Sequence, residues 1–204
     1  ELSGLEFRTA AKIIDFLKKY NPSEIIHPIG KTGTIAVFNG NNPGSKTLIR
    51  CELDALPIQE INEFDHKSSV EGISHKCGHD GHMAILCGVA ALLYDVTTFN
   101  GTVYLLFQPA EENGEGAKKV LNDPVFQSIK PDFVIALHNL PGFPFGQIVV
   151  KNETFSCAVN SMIIALSGKT SHAAEPENGI NPALAISEMI TVFNQKIKSD
   201  IAKD

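Results

Sequence analysis

One short segment of the sequence concentrates side chains that bind divalent metals. Residues 75–82 read His-Lys-Cys-Gly-His-Asp-Gly-His, with one thiol, three imidazoles and one carboxylate among eight residues. Zinc and related borderline metals take thiolate, imidazole and carboxylate ligands together. Gly78 and Gly81 permit the tight turn that would gather these side chains. The segment therefore indicates a divalent-metal site.

Three further polar clusters carry the same kinds of ligand. Asp54 follows one apolar run, the pair Glu111 and Glu112 follows another, and His138 follows a third. Taken alone, each has an ordinary explanation, because a lone His is usually a surface or core residue and an adjacent Glu pair usually lies in a solvated loop. Together with residues 75–82 they predict one site, in which one neighbouring carboxylate binds metal and the other moves protons.

This combination is suited to hydrolysis. A metal lowers the pKa of bound water to roughly 7, and a nearby carboxylate with a raised pKa carries the proton to the leaving amine. An alternative makes Cys77 the nucleophile of a thiol hydrolase with a nearby His as its base. That alternative leaves Glu111, Glu112 and His138 without a role.

The rest of the sequence predicts the elements that position these groups. Apolar periodicity and turn residues predict a helix at 5–19, strands at 34–38 and 46–53 joined as a hairpin, a helix at 82–94, a strand at 101–108, a helix at 114–121, a strand at 132–137, a β segment at 147–167 and a helix at 182–198. The alternation favours an α/β fold with a mixed or mostly parallel sheet flanked by helices.

The predicted strands indicate where the polar clusters should lie in the fold. Asp54, the Glu pair and His138 each come just after a predicted strand, and in open α/β sheets ligands bind at the carboxyl ends of the strands. If the strands run parallel, with the strands ending at Gln108 and Leu137 as neighbours, the clusters converge at one edge of the sheet.

Composition limits the other classes of function. The 204 residues are 43% hydrophobic and carry a net charge of −6 without a basic run, so we expect no nucleic-acid partner. No apolar run approaches the roughly 20 residues that span a bilayer, so we expect no membrane partner. The four widely spaced cysteines predict free thiols in a reducing cytoplasm, with Cys51, Cys87 and Cys157 as small core residues.

Five motifs, in order along nearly the whole chain, carry a family resemblance. They are residues 51–57 (Cys-Glu-Leu-Asp-Ala-Leu-Pro), 77–82 (Cys-Gly-His-Asp-Gly-His), 107–112 (Phe-Gln-Pro-Ala-Glu-Glu), 138–139 (His-Asn) and 168–176 (Gly-Lys-Thr-Ser-His-Ala-Ala-Glu-Pro). The chain resembles the metal-dependent amidohydrolases and metallopeptidases that include aminoacylases, hippurate hydrolases, auxin-conjugate amidohydrolases and N-acetyl-diaminopimelate deacetylases, the carboxypeptidase-G-like enzymes.

The resemblance implies a role for each candidate residue. It makes Glu111 the general acid and base, and it makes Asp54 a residue that orients a ligand from behind. His172 would stabilise the oxyanion on a substrate carbonyl, in the partner subunit's site. The implied substrate is an N-acyl-amino acid or a related conjugate, and the implied cofactor is a divalent metal, Zn or Mn, with two ions in a complete site. The implied metal ligands are Cys77, His79, Glu112 and His138.

The resemblance also implies a domain organisation. Residues 1–155 would form the metal-binding catalytic domain, and residues 156–204 would begin a small α+β lid that makes a homodimer. Members of the family are much longer and supply a further His ligand from a closing segment, so we expect this chain to be truncated, with both domains incomplete. A truncated, non-catalytic remnant that binds metal or a partner without turnover is the alternative to an active amidohydrolase.

Overall fold

The computed structural model of the chain describes residues 1–96, 98–156 and 162–200, with side chains described as far as residue 196. The chain divides into two compact units, residues 1–145 and residues 146–204. This division falls ten residues before the predicted boundary at 155/156, and the assignment of a catalytic domain and a lid stays a prediction. Cys157 lies outside the described residues.

The described residues of the first unit form four α-helices, one short 3₁₀ helix (Lys18–Tyr20) and five strands. The helices are α1 (Phe7–Leu17), α2 (His79–Asp95), α3 (Gly116–Leu121) and α4 (Pro124–Ile129). The strands are β1 (Glu24–Ile29), β2 (Gly33–Asn39), β3 (Asn42–Glu52), β4 (Asn100–Gln108) and β5 (Phe133–Ala136). The predicted elements of this unit are thus present, with small changes at their ends. The sequence analysis missed α4 and also β1, where Pro28 argues against a strand, although an edge strand tolerates proline.

The five strands form one mixed sheet in the order β1-β2-β4-β3-β5. β1 pairs antiparallel with β2, and β2 pairs antiparallel with β4. β3 runs parallel to both β4 and β5. The predicted mixed sheet flanked by helices is therefore confirmed, and its three parallel strands end at the same edge.

One predicted pairing is wrong: β2 and β3 do not form a hairpin, because β4 lies between them. The condition that β4 and β5 be neighbours is not met, because β3 lies between them, but all three strands still end at one edge. The connection from β2 to β3 passes across the beginning of β4, where Gly40 N–H donates to the Gly101 carbonyl at 2.8 Å. A Cβ at Gly40 would lie 2.3 Å from the Phe99 carbonyl oxygen, so the crossing requires glycine. The sequence predicted the turn but not which side of β4 the next strand takes.

Helices cover both faces of the central strands of the sheet, whereas β5 at one edge is exposed along its whole length. On one face, α1 and α2 pack against Ala36, Phe38, Cys51, Leu53, Leu105 and Phe107. On the other face, Val120 of α3 and Ile129 of α4 pack with Ile29, Ile35, Val37, Leu48 and Leu106. Successive residues of β2 and β4 alternate between these clusters, as the period of two in a strand requires. The central strands therefore lie between helices, and their packing fixes the positions at which β3 and β4 end.

The second unit contains helix α5 (Ala183–Asp200) and an antiparallel bridge between Lys169 and Ile180. The described parts of the predicted β segment, residues 147–156 and 162–167, contain no strand, so this prediction is wrong there. Apolar, β-branched residues favour a strand only where a neighbouring strand accepts its backbone hydrogen bonds. Among the described residues, no helix combines the length and apolar character that crossing a lipid bilayer requires.

Candidate metal centre

The candidate centre lies where the three parallel strands end. Asp54 follows β3, Glu111 and Glu112 follow β4, and His138 follows β5. Helix α2 begins at His79, three residues earlier than predicted, because Gly78 adopts a φ of +91° and lets the polar turn lead directly into the helix. The first turn of α2 therefore lies in the same place as the residues that follow the strands.

His79 occupies the middle of the candidate centre. Its side chain is buried, and its Nδ1 lies 2.8 Å from the Asp54 carbonyl oxygen, an acceptor only. Nδ1 therefore carries the proton and donates, which leaves the lone pair on Nε2. His79 Nε2 lies 3.7 Å from Glu111 Oε2 and 3.7 Å from Glu112 Oε1. The imidazole thus presents a ligand atom toward both carboxylates.

Cys77 and His138 meet beside this cluster. Cys77 Sγ lies 3.3 Å from His138 Nε2, and His138 Nδ1 lies 2.7 Å from the Asn139 carbonyl oxygen. The Asn139 contact directs Nε2 of His138 toward Cys77. Ligand atoms of Cys77, His79 and His138 all lie within 4.8 Å of one another, and so do those of His79, Glu111 and Glu112. The four predicted metal ligands and the predicted base are thus close together in space.

Asp54 braces the cluster from inside the protein. Its Oδ2 accepts hydrogen bonds from Ser3 Oγ at 2.7 Å and from Glu112 N–H at 2.9 Å. Its Oδ1 lies 3.4 Å from His79 Nδ1. The carboxylate therefore contacts the backbone N–H of one predicted ligand and the Nδ1 side of another.

The buried polar atoms of the cluster fit a divalent metal. Among the described residues, His79 Nε2 and Glu112 Oε1 are buried without a hydrogen-bond partner. Such atoms cost free energy unless something else satisfies them. Two ligands bound to one tetrahedral zinc lie roughly 3.4 Å apart, and His79 Nε2 and Glu112 Oε1 are 3.7 Å apart. The donor set and its spacing suit a borderline metal.

The local environment shifts the pKa of several groups. Burial lowers the pKa of His79, but hydrogen bonds to the Asp54 side chain and carbonyl raise it further, to about 8. Burial and the negative charge of Glu112 raise the pKa of Cys77 to about 11. Burial and the same neighbouring charge raise the pKa of Glu111. Burial also raises the pKa of Asp54, but hydrogen bonds from His79, Glu112 and Ser3 outweigh it and leave that pKa well below its usual range.

The sequence analysis missed a second set of polar residues beneath the cluster. His82 is buried, its Nδ1 lies 2.8 Å from Glu52 Oε2, and its Nε2 accepts a hydrogen bond from Asn139 N–H at 2.9 Å. Glu52 is also buried and forms an ion pair with Arg50. This network ties α2 to the end of β3 and to the loop that carries His138. The available signal was Glu52 itself, an acid at the buried end of the strand, between Cys51 and Leu53.

His172 belongs to the second unit. It is exposed, and its Nδ1 accepts a hydrogen bond from Ala174 N–H at 3.2 Å. The other predicted site residues all lie in the first unit. A role for His172 in catalysis therefore stays a prediction.

Comparison with known proteins identifies the family of the chain. Residues 48–201 match the sequence profile of peptidase family M20/M25/M40. The chain is 38% identical over 203 residues to the N-acetyl-L-cysteine deacetylase of Bacillus subtilis, covering 98% of this chain and 48% of that protein. It is 33% identical over 201 residues to the hippurate hydrolase of Campylobacter jejuni, covering 98% and 52%.

A solved structure resembles the fold as well. The crystal structure of the YXEP protein of Bacillus subtilis, described as a dinuclear metal-binding peptidase of family M20, superposes with a TM-score of 0.68 and 40% identity. The match covers 74% of this chain and 42% of that protein. By its fold and its site, the chain falls in the class of peptidase-like proteins that gather candidate metal ligands at one edge of a mixed sheet. The chain belongs to peptidase family M20/M25/M40, and it spans about half the length of the curated relatives that it matches.

Proposed function

We propose that the protein hydrolyses the amide bond of N-acyl-amino acids or related conjugates, in a metal-dependent reaction. One observation carries the proposal. The buried atoms His79 Nε2 and Glu112 Oε1, both without a hydrogen-bond partner among the described residues, are 3.7 Å apart, with the Glu111 carboxylate at the same distance from His79. A hydrolase needs such a set of ligands beside a carboxylate that stays free to exchange protons.

We assign Cys77, His79, Glu112 and His138 as the residues that would hold the metal. A bound divalent ion supplies Lewis-acid polarisation of the amide carbonyl and a lowered pKa for water. The thiolate and carboxylate give the site two negative charges, which balance one divalent ion. The dinuclear relative, whose fold this chain shares, supports two ions in a complete site. We propose Zn or Mn as the metal, because both accept this set of ligands.

Glu111 acts in the proposal as general base and then as general acid. Its side chain is 39% exposed, whereas that of Glu112 is 20% exposed, so Glu111 is the carboxylate that substrate can reach. Burial and the Glu112 charge raise the pKa of Glu111, which favours return of a proton to the amide nitrogen. Glu111 would take this proton from the attacking water.

The relatives indicate the chemical class of the substrate. One is named for N-acetyl-L-cysteine and another for hippurate, which is N-benzoylglycine. Both compounds join an acyl group to an amino acid through an amide bond. We therefore expect a small N-acyl-amino acid to be the substrate of this protein.

We further propose a homodimer formed through the second unit, with His172 stabilising the oxyanion of a substrate carbonyl. An apolar groove of about 320 Å³ in that unit supports an interface. It is lined by Ile164, Leu166, Ile186, Met189, Ile190 and Phe193.

We also propose that the protein resides in the cytoplasm, since the three described cysteines Cys51, Cys77 and Cys87 are free thiols.

The experiment compares two conservative substitutions in the full-length protein. Glu111→Gln should lower kcat on the order of 10²- to 10⁴-fold while metal content stays near wild type. Glu112→Gln should lower metal content, because it removes a ligand. Hydrolysis of N-acetyl- and N-benzoyl-amino acids with added Zn²⁺ or Mn²⁺ gives the rates, and elemental analysis gives the metal. Loss of metal in Glu111→Gln with full occupancy in Glu112→Gln would reverse the assignment.

A thiol hydrolase is the second candidate, because Cys77 Sγ lies 3.3 Å from His138 Nε2. Its weakness is electrostatic: burial and the Glu112 charge raise the pKa of Cys77, which opposes the thiolate that a nucleophile needs. Activity that survives a chelator but not alkylation would favour it. A full-length protein that binds metal yet hydrolyses none of these substrates would instead favour the non-catalytic remnant.

A further inference from the structure

A buried carboxylate lies close behind the proposed base. Glu6, directly before α1, has no solvent-exposed surface, although an acid at the start of an amphipathic helix is ordinarily solvated. It accepts hydrogen bonds from Gly4 N–H at 2.7 Å, Thr32 Oγ at 2.5 Å and Ala110 N–H at 2.8 Å. Both of its oxygens are therefore used inside the protein. A buried carboxylate is retained only where such partners hold it.

The Ala110 contact matters because Ala110 directly precedes Glu111. Ala110 is buried and adopts a φ of +47°, a region that residues with a side chain rarely occupy. Its N–H is bound by Glu6, and its carbonyl accepts a hydrogen bond from Gly116 N–H at 2.8 Å. A Cβ at Gly116 would lie 1.6 Å from the Pro109 carbonyl oxygen, so this close approach needs glycine. Residue 110 is thus fixed from both sides.

The two neighbouring carboxylates have separate supports. Asp54 binds the backbone N–H of Glu112, whereas Glu6 binds the backbone N–H of the residue before Glu111. Thr32 joins Glu6 to the turn between β1 and β2, next to the end of β4. The supports of the metal-binding and proton-transferring residues therefore come from different parts of the chain.

We propose that Glu6 is a positioning residue that holds the backbone at Ala110 and thereby sets the place of the Glu111 carboxylate. This inference rests on the proposed function of Glu111. The required property is a hydrogen-bond acceptor at position 6, not a negative charge. The amide oxygen of a glutamine can accept from Ala110 and Gly4 while its NH₂ donates to the Thr32 hydroxyl.

The experiment uses a matched pair of variants in the full-length protein. Glu6→Gln and Glu6→Met both remove the charge and keep the length of the side chain, but only Gln keeps the acceptor. Leu17→Ala is the control for lost stability, because Leu17 is fully buried in the same helix and packs in the core cluster that contains Cys51 and Phe107. The readouts are kcat, KM, metal affinity and amide hydrogen exchange in residues 109–112.

We expect Glu6→Met to lower kcat on the order of 10²-fold, since small displacements of a reacting group have effects of this size. Exchange in residues 109–112 should become faster, whereas KM and metal affinity stay within about tenfold of wild type, because Asp54 still holds Glu112. Glu6→Gln should stay within about tenfold of wild type in kcat. Leu17→Ala should lose stability without changing kcat or local exchange.

Three results would overturn the proposal. They are a folded Glu6→Met protein with wild-type kcat and exchange, equal damage from Gln and Met, and a fall in kcat in Leu17→Ala that matches Glu6→Met. If Glu6→Met does not fold, Thr32→Val is used instead, because it removes one hydrogen bond to the Glu6 carboxylate. Unchanged amide hydrogen exchange in residues 109–112 of that variant would also overturn the proposal. The exchange measurement needs no substrate, so it tests Glu6 even if the wild-type protein fails to hydrolyse N-acyl-amino acids.

Discussion

Replacing Asp54 with Asn should weaken metal binding without unfolding the protein. An Asn carbonyl oxygen can still accept the hydrogen bonds from Ser3 Oγ and Glu112 N–H that Oδ2 accepts. Its NH₂ group then takes the place of Oδ1, which lies 3.4 Å from His79 Nδ1. His79 Nδ1 itself donates to the Asp54 carbonyl, so two N–H groups would face each other. The substitution also removes the negative charge that makes the imidazole more basic.

The expected loss of metal affinity is moderate, because Asp54 contacts two proposed ligands and is not itself one. Loss of a partner that orients a metal-binding histidine costs 10- to 100-fold in metal affinity, which corresponds to about 1.4 to 2.8 kcal/mol. Ser3→Ala is the matched control. It removes one hydrogen bond to the other oxygen of the same carboxylate, which should lower the free energy of unfolding by about 1 kcal/mol. It leaves the contact between Asp54 and His79 in place.

Competition with a chromogenic chelator measures the affinity of each full-length variant for Zn²⁺, and circular dichroism establishes that each is folded. The expected order of affinity is wild type, then Ser3→Ala, then Asp54→Asn. An Asp54→Asn protein that binds zinc as tightly as wild type would show that Asp54 does not orient His79 for metal binding. An equal loss of zinc affinity in Ser3→Ala and Asp54→Asn would show the same, because the effect would then come from the hydrogen bond between Ser3 and Asp54.

Two further predictions concern pH and assembly. The pKa of His79 is lowered by burial but raised more by Asp54, to about 8, and the pKa of Cys77 is raised to about 11. Both groups must lose a proton to bind metal, so apparent zinc affinity should rise about 100-fold per pH unit just below pH 8 and about tenfold per unit above it. A chelator competition series across pH measures this slope, and a flat profile would remove both residues from the ligand set. Light scattering of the full-length protein should give the mass of a dimer, and Ile190→Glu in the groove of the second unit should reduce it toward that of a monomer; a dimeric Ile190→Glu protein would exclude the groove as the interface.

The sequence predicted much of the first unit because its signals are local. The apolar strands that became β2, β3, β4 and β5 are bounded by Gly, Pro and Asn, and α2 is apolar enough to be predicted as buried. The position of Asp54, Glu111 and His138 just after strands depends only on strand ends, which such boundaries mark well. The parallel direction of the three strands then brought these residues together.

Other features depend on pairing and burial, which a single sequence does not contain. Nothing local decides that the turn after β2 crosses the beginning of β4, so the predicted hairpin was wrong. The apolar residues at 162–167 resemble a strand, yet a strand also needs a partner, and the described residues supply none for them. The burial of Glu6 could not be predicted from the sequence either, since an acid beside a helix usually faces water.

The order of residue types along the chain sets the chemistry available to this protein: the kinds of ligand, their sequence and their positions after strand ends. These are properties of side chains and of short apolar runs. The tertiary structure decided which atoms face each other. It turned His79 Nε2 toward both carboxylates by binding Nδ1 to the Asp54 carbonyl, and it buried Glu6 and Glu52 as supports. Orientation and burial arise from contacts between residues far apart in the chain, and only the folded sheet and its helices establish those contacts.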